Sequence, residues 1–274
     1  VGDTGTISTP DWTVEVDETQ RTGEDIIHFG RISGGLEDFE LDAGVDFPTP
    51  VRAEVSFPRR MDIARNHTAT HLLQAALRQV LGSHVNQSGS LVHPDYLRFD
   101  FTHFEKPSEE TLDKVEAIVN EIITQALPVT WEITTFDKAK ARGATALFGE
   151  KYGEQVRLVT VEGISAELCG GTHAASSDQL LAFRITSESS AAAGIRRIEA
   201  LTGSKALQAM LDDKRLIRSL QDALSARGGN VLEKVLGAVS FAHEDTRTPM
   251  YAALCGLAVA TAGAFILFPT YGHV

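Results

Sequence analysis

The chain is short of cysteine and short of positive charge. Only two cysteines occur in 274 residues, Cys169 and Cys255. That excludes a disulfide framework and fits a reducing compartment, the cytoplasm. Acidic residues outnumber basic ones by 37 to 25, for a net charge of −12. This balance argues against a general nucleic-acid-binding surface and leaves room only for a local basic groove. Arg196-Arg197 and the group Lys138, Lys140 and Arg142 are candidates for such a groove, although solvated surface charge is the plainer account of the latter group. No basic start leads into an apolar run and a small-residue cleavage site at Val1, so a secretory signal is not read there. Long apolar runs are scarce too. The one nearly charge-free run, 251–268, has eighteen residues and sits near the lower limit for crossing a bilayer. No neighbouring feature prepares a membrane role, so 240–274 reads as an atypical apolar tail with no membrane partner.

What the chain does have is two pairs of metal-ligand residues, His67-x-x-x-His71 and Cys169-x-x-x-His173, about a hundred residues apart. Ala64, Leu72, Leu73, Ala76, Leu77 and Val80 form an apolar stripe over 61–81, and Gly82 is a stop, so this stretch is a predicted helix. Side chains at i and i+4 share a helix face, which points His67 and His71 the same way. Gly170-Gly171 between the second pair disfavours a helix interior and predicts a tight loop. Imidazole nitrogen and thiolate sulfur suit tetrahedral Zn²⁺ at roughly 2.0–2.3 Å. Glu does not follow His67, so the metalloprotease H-E-x-x-H pattern is absent. Spacing alone leaves other readings open. A lone helical His is commonly solvated or hydrogen-bonded, a lone Cys is commonly a small buried apolar group, and a fully ligated zinc can be purely structural.

The fold class expected is α+β. Residues 1–57 carry several short alternating stretches, 13–16, 26–29 and 53–57, with a turn at Gly34-Gly35, and suggest a small β-barrel. After the helix at 61–81 come strands near 89–92 and 97–102. A helix over 108–126 follows, with Ser108 as cap, Glu109-Glu110 at its positive end and Pro128 beyond it. Strands near 130–135, 156–161 and 181–187 complete an α/β sandwich over 58–203. Residues 204–226, within a helical segment reaching 239, place Met210, Ile217 and Leu224 seven apart with Leu220 between, a short coiled-coil-like seam or an ordinary amphipathic helix.

The two ligand motifs, in this order and at this separation, resemble the editing domain of alanyl-tRNA synthetases and its freestanding relatives. Further stretches carry the likeness: 82–92, 97–101, the signature Gly143-Ala144-Thr145-Ala146-Leu147-Phe148-Gly149-Glu150-Lys151-Tyr152, the motif Glu167-Leu168-Cys169-Gly170-Gly171-Thr172-His173, and 194–200. The resemblance covers roughly 1–235 and implies a β-barrel ahead of a zinc-binding editing core. It also implies that the start lacks an element the family places before it, so that the chain reads as a fragment without the aminoacylation site. The related threonyl-tRNA synthetase editing module is the alternative within the class, and the Cys-Gly-Gly-Thr-His motif favours the alanyl branch.

The resemblance further implies hydrolysis of the ester in Ser-tRNA or Gly-tRNA specific for alanine, with the tRNA acceptor end as partner and one Zn²⁺ held by His67, His71, Cys169 and His173. A second site makes physical sense, because a methylene-sized difference gives one pocket only about 1–3 kcal/mol of discrimination. Gln87 corresponds to the polar residue near the scissile ester. Thr68 and Thr70 would meet the serine side chain, Gly170 and Gly171 would offer backbone N–H groups, and Arg196 and Arg197 would meet phosphate or the terminal adenosine. Four protein ligands favour holding of substrate over generation of hydroxide. The alternative from another class is a noncatalytic tRNA-binding module with structural zinc. The sequence leaves the oligomeric state unassigned.

Overall fold

The computed structural model describes residues 2–23, 25–34, 50–145 and 153–223. The chain divides into two compact units, Val1–Ala209 and Met210–Val274, and each is described by itself.

Three antiparallel sheets build the first unit. Strands β1 (Gly5–Ser8), β2 (Trp12–Thr22), β3 (Asp25–Gly34) and β4 (Arg52–Val55) make the first, in the order β3-β2-β1-β4. The expected barrel is thus represented, among the described residues, by a four-stranded sheet with an open strand order. The sheet is joined to the following helix by Arg60, whose guanidinium donates to both carboxylate oxygens of Asp3 at 3.2 and 2.5 Å.

Helix α1 runs Phe57–Leu81, four residues earlier than the predicted start. The reason is Pro58. Its fixed φ and missing N–H suit a first helical turn, where that N–H has no intrahelical partner. The expected stop holds: Gly82 has φ 113° and donates its N–H to the Arg78 carbonyl. Helix α2 spans Glu109–Thr124, with the Ser108 side chain accepting from the Thr111 N–H as an N-cap. It ends before Pro128, because Ala126 turns to φ 51°.

These helices cover one face of the second sheet, ordered β10-β11-β6-β5 and made of β5 (Gln87–Val92), β6 (Leu97–Thr102), β10 (Phe183–Ala192) and β11 (Ile195–Thr202). On β6 the buried Leu97, Phe99 and Phe101 alternate with Arg98, Asp100 and Thr102, the period-2 pattern of a strand with one covered face. Leu72, Leu73 and Leu77 of α1 and Val115 and Val119 of α2 meet Phe99, Phe101, Phe183 and Ile198 in the main core. Strand β11 is not among the expected strands, and β10 begins at Phe183 instead of Leu181, whose φ is 62°.

The third sheet, β7 (Val129–Thr135), β8 (Gln155–Val161) and β9 (Ser165–Leu168), is ordered β7-β8-β9. The short helix α3 (Phe136–Ala141) covers one face of this sheet with Ala139 against Val156, Leu158 and Leu168. Neither α3 nor β9 was expected, since six and four residues give too little periodicity to read. Most of the signature at 143–152 lies outside the described residues. Thr145 bridges to Glu167 in parallel, which ties that stretch to β9.

Helix α4 (Gly203–Ala223) starts in the first unit. The second unit is described over 210–223, where Leu211, Leu216, Ile217 and Leu220 are exposed. Leu224 of the expected seam, the remainder of the helical segment and the apolar run 251–268 lie outside the described residues. Among the described residues no helix is long and apolar enough to cross a membrane.

Candidate metal centre

Helix α1 carries His67 and His71 on the face turned toward the loop that follows β9. That loop carries Cys169 and His173. Cys169 Sγ lies 3.3 Å from His67 Nε2 and 3.4 Å from His173 Nε2, and one ligand atom from each of the four residues lies within 4.8 Å of all the others. Tetrahedral zinc with nitrogen and sulfur donors has ligand–ligand edges of about 3.3–3.6 Å. Two donor pairs have that spacing and every pair lies within 4.8 Å, so the donor set fits one such ion with a small inward adjustment.

Electrostatics favour the ligating forms. Burial lowers His67 to about 4 and His71 to about 3, and burial followed by the neighbouring imidazoles lowers His173 further still. All three rings are neutral at pH 7, which is the form that donates a lone pair.

Two contacts set ring positions. The Thr68 hydroxyl lies 3.1 Å from His173 Nδ1 and accepts from the Ala174 N–H at 3.1 Å. Holding the far ring nitrogen in this way fixes the orientation of a ligating imidazole. Gly171 lies so close to the His67 ring that a Cβ there would overlap it. This close approach, not a left-handed backbone, is what requires glycine at 171.

The cluster forms one wall of a cavity of roughly 530 Å³, a size suited to a small ligand. His67, His71 and Cys169 line it, as do Thr70 and Gln87. Glu167 lines it as well, with Oε2 3.7 Å from His71 Nε2 and Oε1 accepting from the Ser165 hydroxyl at 2.7 Å. Burial pushes its carboxyl up to about 7. Gln87 donates from Nε2 to Ser90 Oγ at 3.0 Å. The Thr70 hydroxyl donates to the Asn66 carbonyl at 2.8 Å, one turn back along the helix.

Other expected site residues stand elsewhere. Thr68 is fully buried and directed at His173, not among the residues that line the cavity. Gly170 borders open space on the loop. Arg196 is paired with Glu188 at 2.5 Å, and Arg197 is bound through two nitrogens to Asp100 at 2.7 and 2.8 Å. Both guanidiniums are engaged within the sheet. Of the other basic candidates, Arg142 pairs with Glu132, and Lys140 lies over the Phe136 ring at 5.4 Å.

Glu167 carries no expected role beyond its place in the motif 167–173, and Arg157 carries none. Glu167 stands on β9 two residues before Cys169, which follows the strand directly, so extended backbone brings both side chains to one side. That signal was available once β9 was recognised. Arg157 donates from Nη1 to the carbonyls of Cys169 and Gly171 at 3.1 and 2.6 Å. Its role depends on a tertiary approach that no local pattern carries.

Residues 156–199 match the family described as the threonyl and alanyl tRNA synthetase second additional domain. The chain is 44% identical over 236 residues to the alanine–tRNA ligase of Fervidobacterium nodosum, and 47% identical over 237 residues to that of Methylococcus capsulatus. A Thermoanaerobacter alanine–tRNA ligase is 41% identical over 235 residues. Each match covers 86% of this chain and 26% of the relative, so the chain spans about a quarter of the length of the curated relatives it matches. With four candidate ligand residues gathered from α1 and the loop after β9, and with β9 and β10 inside the matched residues 156–199, the chain is similar to one part of the alanine–tRNA ligases, a part that carries a match to the second additional domain.

Proposed function

We propose that the chain is an editing hydrolase that deacylates Ser- or Gly-tRNA specific for alanine and so guards the fidelity of alanyl-tRNA synthesis. The observation that carries this reading is that three residues of the four-residue ligand cluster, His67, His71 and Cys169, line a cavity large enough for a small aminoacyl group. His67, His71, Cys169 and His173 would hold one Zn²⁺. When bound, that ion supplies Lewis acidity, polarising an ester carbonyl or a water and holding a polar substrate group.

The remaining steps belong to side chains. Glu167, buried in the cavity wall with its carboxyl pushed up to about 7, would be held in its ionised form by the α-ammonium of an aminoacyl ester and would pair with it there. Gln87 faces the same space and orients the attacking water or donates to the developing oxyanion. Water oxygen bonds to the carbonyl carbon, the bond to the ribose oxygen breaks, and the ribose oxygen takes up a proton. Thr70 is one of the hydroxyls at the cavity wall and would meet a serine side chain, while Thr68 acts through His173. Arg196 and Arg197 shape the sheet beside the cavity, and their pairing with Glu188 and Asp100 makes direct phosphate contact the weaker of their two roles. The cytoplasm, which keeps thiols reduced, suits a site built on Cys169.

Purified protein should release serine from Ser-tRNA specific for alanine. Gln87→Ala should slow release about 10²–10³-fold, the usual cost of losing one oxyanion donor, while bound zinc measured by metal analysis stays at the wild-type level. Wild-type protein that retains zinc and hydrolyses no faster than buffer would replace this reading with that of a noncatalytic tRNA-binding module.

A further inference from the structure

Trp131 is 60% exposed on the outer strand of the third sheet. A large exposed aromatic on an edge strand is poor protection against unwanted pairing, so its contacts bear on its purpose. One contact stands out. The Arg157 guanidinium lies over its ring at 4.8 Å. Register explains the meeting: Trp131 pairs with Val159, Ile133 with Arg157, and Val159 with Glu167. Directly paired residues in an antiparallel ladder point to the same side. Trp131, Arg157 and Glu167 therefore share the face of the sheet that looks toward the metal centre.

From that face Arg157 reaches the ligand loop. Its Nη1 donates to the carbonyls of Cys169 and Gly171, and its own carbonyl accepts the Cys169 N–H at 3.0 Å. Three hydrogen bonds thus join one residue to the stretch that begins at the thiolate ligand and ends where Gly171 touches the His67 ring. The bond at 2.6 Å to Gly171 is short for nitrogen and oxygen, as charge-assisted bonds are. A guanidinium serves this purpose better than an ammonium. Its planar fork can lie flat on an indole while its edge bridges two carbonyls.

We propose that Trp131 and Arg157 act together as a positioning brace: the indole holds the guanidinium plane, and the guanidinium holds the Cys169–Gly171 backbone at the angle from which Sγ and the His67 ring address one ion. The proposal rests on the metal reading given above and adds two residues to it, neither of which touches metal or substrate. Stacking of this kind is worth about a two- to fivefold effect at an exposed site. Loss of an outer hydrogen-bond partner of a metal ligand costs about 10–100-fold in metal affinity.

The test compares wild type with Arg157→Ala, Arg157→Lys, Trp131→Ala and Trp131→Phe. Zinc affinity is measured by chelator competition, and Co²⁺ substitution reports ligand geometry through the sulfur-to-metal charge-transfer band. Arg157→Ala should bind zinc roughly 10–100-fold more weakly, with an altered Co²⁺ spectrum. Arg157→Lys should fall between it and wild type, Trp131→Ala should lose about two- to fivefold, and Trp131→Phe should stay close to wild type. Wild-type affinity and an unchanged spectrum in both alanine variants would overturn the brace. If Arg157→Ala fails to fold, Trp131→Ala decides, since its exposed site tolerates truncation. If the wild type takes up no zinc, the metal reading fails, and the brace is then judged on metal-free protein. Faster amide exchange at 169–173 in Trp131→Ala supports it, and unchanged exchange overturns it.

Discussion

At the scale of single residues, the centre is as much a matter of what is missing as of what is present. Gly171 has no side chain where the His67 ring sits, and a methyl group there must displace either the ring or the loop. Gly171→Ala should therefore weaken zinc binding by at least tenfold. Gly170→Ala, where a Cβ meets open space, should leave affinity near wild type. Chelator competition on the two purified variants checks the contrast, and equal affinities would show that the loop gives way at little cost. The ligand residues were legible in the sequence because helical spacing and the glycine pair each impose a local geometry. Thr68 was legible only as a hydroxyl near the ligands. That it points to His173 and not to the cavity depends on which face of α1 meets the loop, and the order of residues in the helix does not state this.

At the scale of elements, the long segments were readable and the short ones were not. α1, α2 and β6 carry full turns or several alternations, so their periods show. β9 and α3 carry too few residues for either period, and β11 was masked by its paired arginines, which break the apolar alternation. Those arginines have a role between strands. Arg197 on β11 holds Asp100 on β6 through two hydrogen bonds, and the guanidinium keeps the carboxyl of Asp100 below the usual carboxylate range. A carboxyl depressed on folding adds stability above its unfolded pKa, about 3.9, and loses that stability as pH falls through the folded value. Asp100→Asn should be less stable than wild type at pH 7. The difference should shrink as pH drops below about 4. Urea unfolding at a series of pH values measures it, and a gap independent of pH would assign the effect to packing.

At the scale of the whole molecule, the barrel expectation rested on the short stretches 13–16, 26–29 and 53–57, whereas closure is a global property that strand propensity does not encode. The metal centre is global in the same sense. His67 and His71 belong to a helix buried against the second sheet, whereas Cys169 follows directly from the third. An ion held by both would oppose their separation. Free zinc at a hundred times its dissociation constant should add about 2.7 kcal/mol to unfolding. Chelation should remove that increment, lowering the melting temperature of the zinc-loaded protein, while a Cys169→Ala variant should show a much smaller change. Identical melting curves with and without chelator would deny the ion any part in holding the sheets together.

The separation of 102 positions from His67 to Cys169 also imposes an order in time. A ribosome delivers the two helical imidazoles long before the thiolate, and a pair of imidazoles alone is a weak and promiscuous host for divalent cations. The complete set exists only after His173 has left the exit tunnel and the intervening sheets have folded back onto the first helix. On the proposed reading, tight metal capture waits for tertiary closure, and ester cleavage by a nascent polypeptide would wait with it.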